Sequence, residues 1–183
     1  MPARSAGILL YRHTRGMLEM LLVHPGGPFW RNRHAGAWQL PKGLVERGEE
    51  DATAARREVA EELGIVIDEP LISLGEIRQA AGKIVAGFAV ERDMDPAALV
   101  STMIEIEWPP RSGRKRSVPE VDEACWFDVA GARHCILPSQ APLIDRLLRH
   151  VEDPGAPPAC PHVPPGTSET NGTRGRSFSL HRR

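Results

Sequence analysis

Three glutamates crowd one short stretch of this chain, at Glu58, Glu61 and Glu62. Around them, Ala52, Ala55, Val59 and Leu63 recur at helical spacing, so residues 50–63 are expected to form a helix with one apolar face. The glutamates then fill a contiguous arc of about 100° beside that face. Like charges three and four residues apart repel, and carboxylates in a last turn oppose the helix macrodipole. Selection for helix stability alone would place Lys or Arg there. Two readings account for the departure. One is a solvated acidic face with Arg56 and Arg57 as counter-charges. The other is a cluster of hard oxygen ligands, suited to Mg²⁺ or Mn²⁺.

Cations of an unusual kind stand elsewhere. Lysine is scarce, with only Lys42, Lys83 and Lys115 among 23 basic residues. In so Arg-rich a chain, a lysine hints at a compact point-charge role. Lys42 adjoins the acidic segment and Lys83 heads an expected strand, which ranks both above Lys115. Arg111, Arg114, Lys115 and Arg116 concentrate positive charge in one expected loop, whose field could hold outer phosphates or a second nucleotide. A solvated loop is the alternative. Phe29, Trp30, Trp38 and Trp108 offer flat surfaces for a base, or anchors for core and loops.

The spacing around the glutamates is more specific than their charge. Gly43, then Glu49, then the run Arg57-Glu58-Val59-Ala60-Glu61-Glu62-Leu63-Gly64-Ile65 fills every fixed position of the Nudix box. The chain therefore resembles a Nudix hydrolase, with the box at residues 43–65 and the family's element order fitting residues 5–151. The resemblance implies a divalent-cation-dependent pyrophosphohydrolase, in which Glu58, Glu61, Glu62 and the Gly43 carbonyl bind Mg²⁺ or Mn²⁺. It implies that Arg57, with Glu49, orients the carboxylates. A further acid from outside the box often joins such a site, and Glu120 is preferred here over Glu123. The Leu40-Pro41-Lys42-Gly43 approach resembles that of the diadenosine polyphosphate hydrolase branch, in which Lys83 would correspond to a phosphate-binding lysine. The loop before Lys83 lacks the adenine-stacking tyrosine of some dinucleotide hydrolases, because the one tyrosine, Tyr11, lies in the first expected strand.

The expected substrate-binding set is thus Lys42, Lys83, Arg111 and Arg114, and the catalytic set Arg57, Glu58, Glu61, Glu62 and Glu120. The leading substrates are dinucleoside polyphosphates such as diadenosine tetraphosphate. Housecleaning of damaged or non-standard nucleoside triphosphates is the alternative. A non-catalytic nucleotide sensor on the same fold would be expected to have lost box acids, and none is lost.

Behind these residues stands an ordinary composition. Of 183 residues, 41% are hydrophobic and 26% charged, and the net charge is −1. That balance argues against a general nucleic-acid binder. No apolar run approaches a membrane span, and Cys125, Cys135 and Cys160 form no disulfide or zinc pattern. A cytoplasmic compartment and no membrane partner are the expectation. Strands are expected at 5–12, 17–24, 38–40, 71–79, 83–91, 101–108 and 124–129, and a closing helix at 138–151 with Leu143, Ile144, Leu147, Leu148 and Val151 inward. The fold class is α+β, an αβα sandwich: a Nudix fold with a mixed β-sheet between helices. Residues 1–151 form the Nudix hydrolase domain. Residues 152–183, with six Pro and four Gly, read as a Pro/Gly-rich disordered tail.

Overall fold

The computed structural model describes residues 3–154. Two apolar runs, Ile8–Tyr11 and Met20–Val23, are buried along their whole length. Such runs suit strands covered on both faces. They lie in β1 (Arg4–Thr14) and β2 (Met17–Pro25), at the centre of a mixed six-stranded sheet. The other strands are β3 (Lys42–Leu44), β4 (Ile72–Arg78), β5 (Ile84–Glu91) and β8 (Val121–Asp128), in the order β4-β5-β1-β2-β8 with β3 on β1. β1 runs parallel to β5 and antiparallel to β2 and β3. Side chains alternate across the sheet. Ile8 and Leu10 pack with Ala55, Val59 and Leu63 of α1 (Asp51–Leu63), whereas Leu9 and Tyr11 join Leu143, Ile144 and Leu147 of α3 (Ala141–Glu152). This is the expected αβα sandwich.

Three elements differ from the sequence reading. Residues 38–40 make isolated bridges from Gln39 to Val23 and from Trp38 to Ile136, and no strand. The strand follows Pro41 instead, because β1 divides its edge: its start pairs with β3 and its end with β2. Gly7 permits this, since a Cβ there would overlap the Pro41 carbonyl and Lys42 Cβ. A short helix, α2 (Val129–Cys135), was not expected, although Asp128 caps it by accepting a hydrogen bond from the Gly131 N–H at 2.7 Å. The basic segment is not all loop. β6 (Met103–Glu107) and β7 (Lys115–Pro119) form a separate hairpin, with Lys115 and Arg116 on its second strand. Glu152 ends α3, so the helix reaches one residue into the expected tail, most of which lies outside the described residues. Among the described residues no helix is long and apolar enough to cross a membrane.

Candidate active site

α1 ends at Gly64, which adopts the left-handed conformation (φ 72°) that closes a helix and that side chains disfavour. Its last two turns face β3, and this changes the standing of the acidic arc. Glu58 and Glu62 are buried, at 8% and 3% exposure, while Glu61 is exposed. The burial depends on Gly43, where a Cβ would overlap the Glu58 carboxylate. Gly43→Ala is therefore expected to displace Glu58 and cut activity at least tenfold. Leu44→Ala, at an exposed neighbour, should leave activity within twofold, as steady-state assays would show.

Arg57 organises the rim. Its guanidinium donates two hydrogen bonds to Glu49 (3.1 and 3.0 Å), one to Glu58 (2.8 Å) and one to the Leu44 carbonyl (2.9 Å), and reaches Glu61 at 3.5 Å. Glu49 also accepts the Glu46 N–H at 3.0 Å. Hydrogen bonding to Arg57 holds the Glu49 carboxyl below the usual carboxylate range, and Glu49 in turn raises Arg57. The fork thus ties the 44–49 loop to α1, as its planar geometry allows and a lysine's would not.

Behind the rim the site is largely buried and mixed in sign. Glu62 accepts the Lys42 backbone N–H at 3.0 Å. Burial pushes its carboxyl up to about 8, against the pull of Lys42 and with Glu120 adding. Burial lowers the Lys42 ammonium, Lys83 lowers it further, and Glu62 and Glu120 oppose the shift. Burial also raises Glu58, with Glu61 and Glu120 contributing and Arg57 opposing. Lys42, Lys83, Glu58, Glu62 and Glu120 therefore share one electrostatic neighbourhood. Glu120 occupies the turn between β7 and β8, where its N–H bonds to Thr102 O and its carbonyl accepts the Gly26 N–H, both at 2.9 Å. Glu123 lies three residues further on, in β8, opposite His24.

The donor set suits a hard divalent cation: carboxylate oxygens beside a glycine backbone that no Cβ obstructs. Among the described residues no three acidic, His or Cys side chains converge at coordinating distance. Glu58 and Glu61 face Arg57, and Glu62 faces the Lys42 N–H. Arg111 and Arg114 sit at the tip of the β6–β7 hairpin, where Arg111 has φ 63°.

Trp38 is no stacking surface. It is 3% exposed and packs edge-on to Phe127 at 4.9 Å, because the core claims it. Phe29 is exposed, but Arg33 already lies over its ring at 4.3 Å. Cys125 is partly buried, and burial raises its thiol, which disfavours the reactive thiolate. Sequence reasoning missed His24. It is buried, with Nδ1 2.7 Å from Asp122 and Nε2 2.7 Å from the Arg33 carbonyl. Asp122 lies 98 positions away in sequence, so no local spacing marks the pair.

Comparison with known proteins gives one consistent picture. Residues 1–147 match the family model described as NUDIX domain. An RNA pyrophosphohydrolase of Caulobacter vibrioides is 46% identical over 62 residues, covering 31% of this chain and 36% of that protein. A bis(5'-nucleosyl)-tetraphosphatase (asymmetrical) of Caenorhabditis elegans is 36% identical over 69 residues, covering 38% and 46%. The chain thus spans less than half the length of these curated relatives. In overall fold it is similar to a C. elegans Ap4A hydrolase binary complex, with TM-score 0.57 and 22% identity over 82% of this chain and 98% of that one. The NUDIX domain of Shewanella oneidensis NrtR, complexed with ADP ribose, matches with TM-score 0.57 and 17% identity over 82% and 89%.

Proposed function

This chain belongs to the NUDIX domain family, and on that premise we propose that it is a divalent-cation-dependent pyrophosphohydrolase. It cleaves a nucleoside polyphosphate by water attack at phosphorus, with dinucleoside polyphosphates such as diadenosine tetraphosphate as leading substrates. The observation that carries this reading is the meeting of buried Glu58 and Glu62 with Lys42, Lys83 and Glu120. A polyphosphate needs both signs in one place: cations against its adjacent charges, and a carboxylate to take the proton from water.

Glu58, Glu61, Glu62 and Glu120, with the Gly43 carbonyl, would hold Mg²⁺ or Mn²⁺. Bound there, such an ion neutralises the phosphates and acidifies water. Lys42 and Lys83 hold phosphate oxygens beside the carboxylates. Arg57 touches no substrate in this scheme and keeps Glu58 and Glu49 in place.

The test is hydrolysis of a substrate panel with Mg²⁺ or Mn²⁺, an EDTA control and product identification. Diadenosine tetraphosphate should yield ATP and AMP, and EDTA should abolish turnover. A nucleoside monophosphate and pyrophosphate from damaged triphosphates, with the dinucleotide untouched, would favour the housecleaning alternative. Because two relatives bear the name RNA pyrophosphohydrolase, RNA joins the same panel. Tight nucleotide binding with no turnover of any compound would instead mark a sensor and overturn the enzymatic reading.

A further inference from the structure

Lys42 and Lys83 are like charges, and Lys42 feels the field of Lys83. Like charges repel, so the segments that carry them need restraint from elsewhere. Strand pairing supplies part of it, since Gly7 of β1 pairs both with Lys42 of β3 and with Gly87 of β5. The approaches to the two lysines, residues 38–41 and 79–82, lie outside those strands.

Both approaches are tied to one 3₁₀ turn, Pro138–Gln140, which leads into α3. Trp38 and Ile136 form a parallel bridge, in which Trp38 N–H donates to Cys135 O at 3.0 Å and Leu137 N–H to Trp38 O at 2.7 Å. The next rung of a parallel ladder would join Leu40 N–H to the Leu137 carbonyl. That carbonyl is already taken, because the chain turns at Pro138 and Gln140 N–H donates to it at 2.8 Å. The Gln140 side chain supplies the missing acceptor, its Oε1 receiving the Leu40 N–H at 3.1 Å. Gln140 is fully buried and its Nε2 has no partner among the described residues. An apolar residue would avoid that cost. The position uses the oxygen.

Ser139, the preceding residue of the turn, takes the other approach. Its Oγ accepts a hydrogen bond from Gln79 Nε2 at 3.1 Å. Gln79 also closes the β4–β5 connection, where its N–H donates to Lys83 O at 2.8 Å. One residue thus joins Ser139 to Lys83. The turn stands on a firm base, because Leu143, Ile144 and Leu147 of α3 are buried in the core. Leu143 packs on Gly87, where a Cβ would lie 2.6 Å from its side chain. α3 therefore docks where β1 joins the strands of both lysines.

We propose that Ser139 and Gln140 are positioning residues for the two lysines: from adjacent places on one turn they set the spacing at which Lys42 and Lys83 meet a phosphate chain. In this role neither touches substrate. The assignment rests on the pyrophosphohydrolase reading and adds to it two residues from outside the box and the binding set.

Calorimetric titration of the metal-free full chain with inorganic tripolyphosphate tests the spacing without turnover. Ser139→Ala should weaken binding about fivefold, the weight of one ordinary hydrogen bond, and Ser139→Thr, which keeps the hydroxyl, should restore it. In a Lys83→Gln background Ser139→Ala should change binding by less than about twofold, because the group it positions is gone. A full loss in that background, or none in the parent, would overturn the proposal. Gln140→Met should weaken binding about tenfold, since it leaves the Leu40 N–H buried and unpaired, and should add little in a Lys42→Gln background. Circular dichroism checks each variant, and if Gln140→Met does not fold, the Ser139 cycle decides. Kinetics give a second reading: Ser139→Ala should raise KM for diadenosine tetraphosphate about fivefold, with kcat and the half-maximal Mg²⁺ concentration near those of the parent. A fall in kcat at unchanged KM would overturn the positioning role and leave the hydrolase reading intact. Tripolyphosphate binding that follows these cycles, without hydrolysis of any panel compound, would sustain the positioning role and remove the hydrolase reading.

Discussion

Glu62→Gln is expected to lower turnover by roughly 10²–10³-fold, the loss typical of removing one group that stabilises transition-state charge, while the protein stays folded. The amide keeps an acceptor for the Lys42 N–H and nearly the same volume, so the 3.0 Å bond to β3 survives. What disappears is the negative charge that burial already makes costly. The same residue yields a second readout that needs no substrate. Its folded carboxyl sits at about 8, well above its ordinary value. Between the ordinary carboxylate range and that value, the folded chain holds a proton that the unfolded chain has released. This contribution to stability is complete at low pH and is lost as pH rises toward about 8. Metal-free protein should therefore gain at least about 1 kcal/mol, roughly 2–4 °C, on going from pH 8 to pH 6. The Gln variant should show a flatter profile. Parallel melting curves for the two proteins would contradict the burial argument, and undiminished turnover in the variant would remove Glu62 from the chemistry.

Arg57→Ala should be nearly as damaging to activity, by about 10²-fold, through a different route. The substitution leaves Glu49 and Glu58 without their shared cation and the Leu44 carbonyl without its donor. A loss of about 1–3 kcal/mol in stability should accompany it, the usual scale for hydrogen bonds to charged groups. Arg57→Lys separates geometry from charge. Lysine keeps the charge but cannot serve two carboxylates and a carbonyl from one planar fork, so activity should remain at least tenfold below the parent. Because Arg57 positions Glu58, both variants should also need more Mg²⁺ for half-maximal rate. A lysine variant with parental rate and Mg²⁺ dependence would show that charge alone suffices.

These two residues also show how far the chain could be read without its fold. Helical periodicity placed Glu58, Glu61 and Glu62 on one arc, and the box spacing picked out Arg57 and Glu49. The wheel put the arc beside the apolar face, yet it carried no sign that Glu58 and Glu62 would be buried and Glu61 exposed. That division comes from β3, whose Gly43 backbone closes over the helix. Pro41 and Gly43 read as breakers in isolation, and the strand exists because Gly7 lets β1 accept it. The same limit applies to the basic segment. Its charge was plain, but the strand alternation that turns Arg116 toward Gly27 and Lys115 toward Glu105 needs the hairpin register.

By itself the sequence determined the order of the main elements and the composition of one helical turn, because a helix repeats every 3.6 residues whatever surrounds it. Tertiary structure decided everything that joins distant segments: Lys42 and Lys83 beside Glu62, Glu120 within the cluster's field, and Asp122 beside His24. Those juxtapositions rest on strand pairings between residues far apart in the chain. No local pattern encodes such pairings, which depend on register and on both faces of the sheet being covered. The near-neutral composition concealed them. Opposite charges are drawn together only when the sandwich closes.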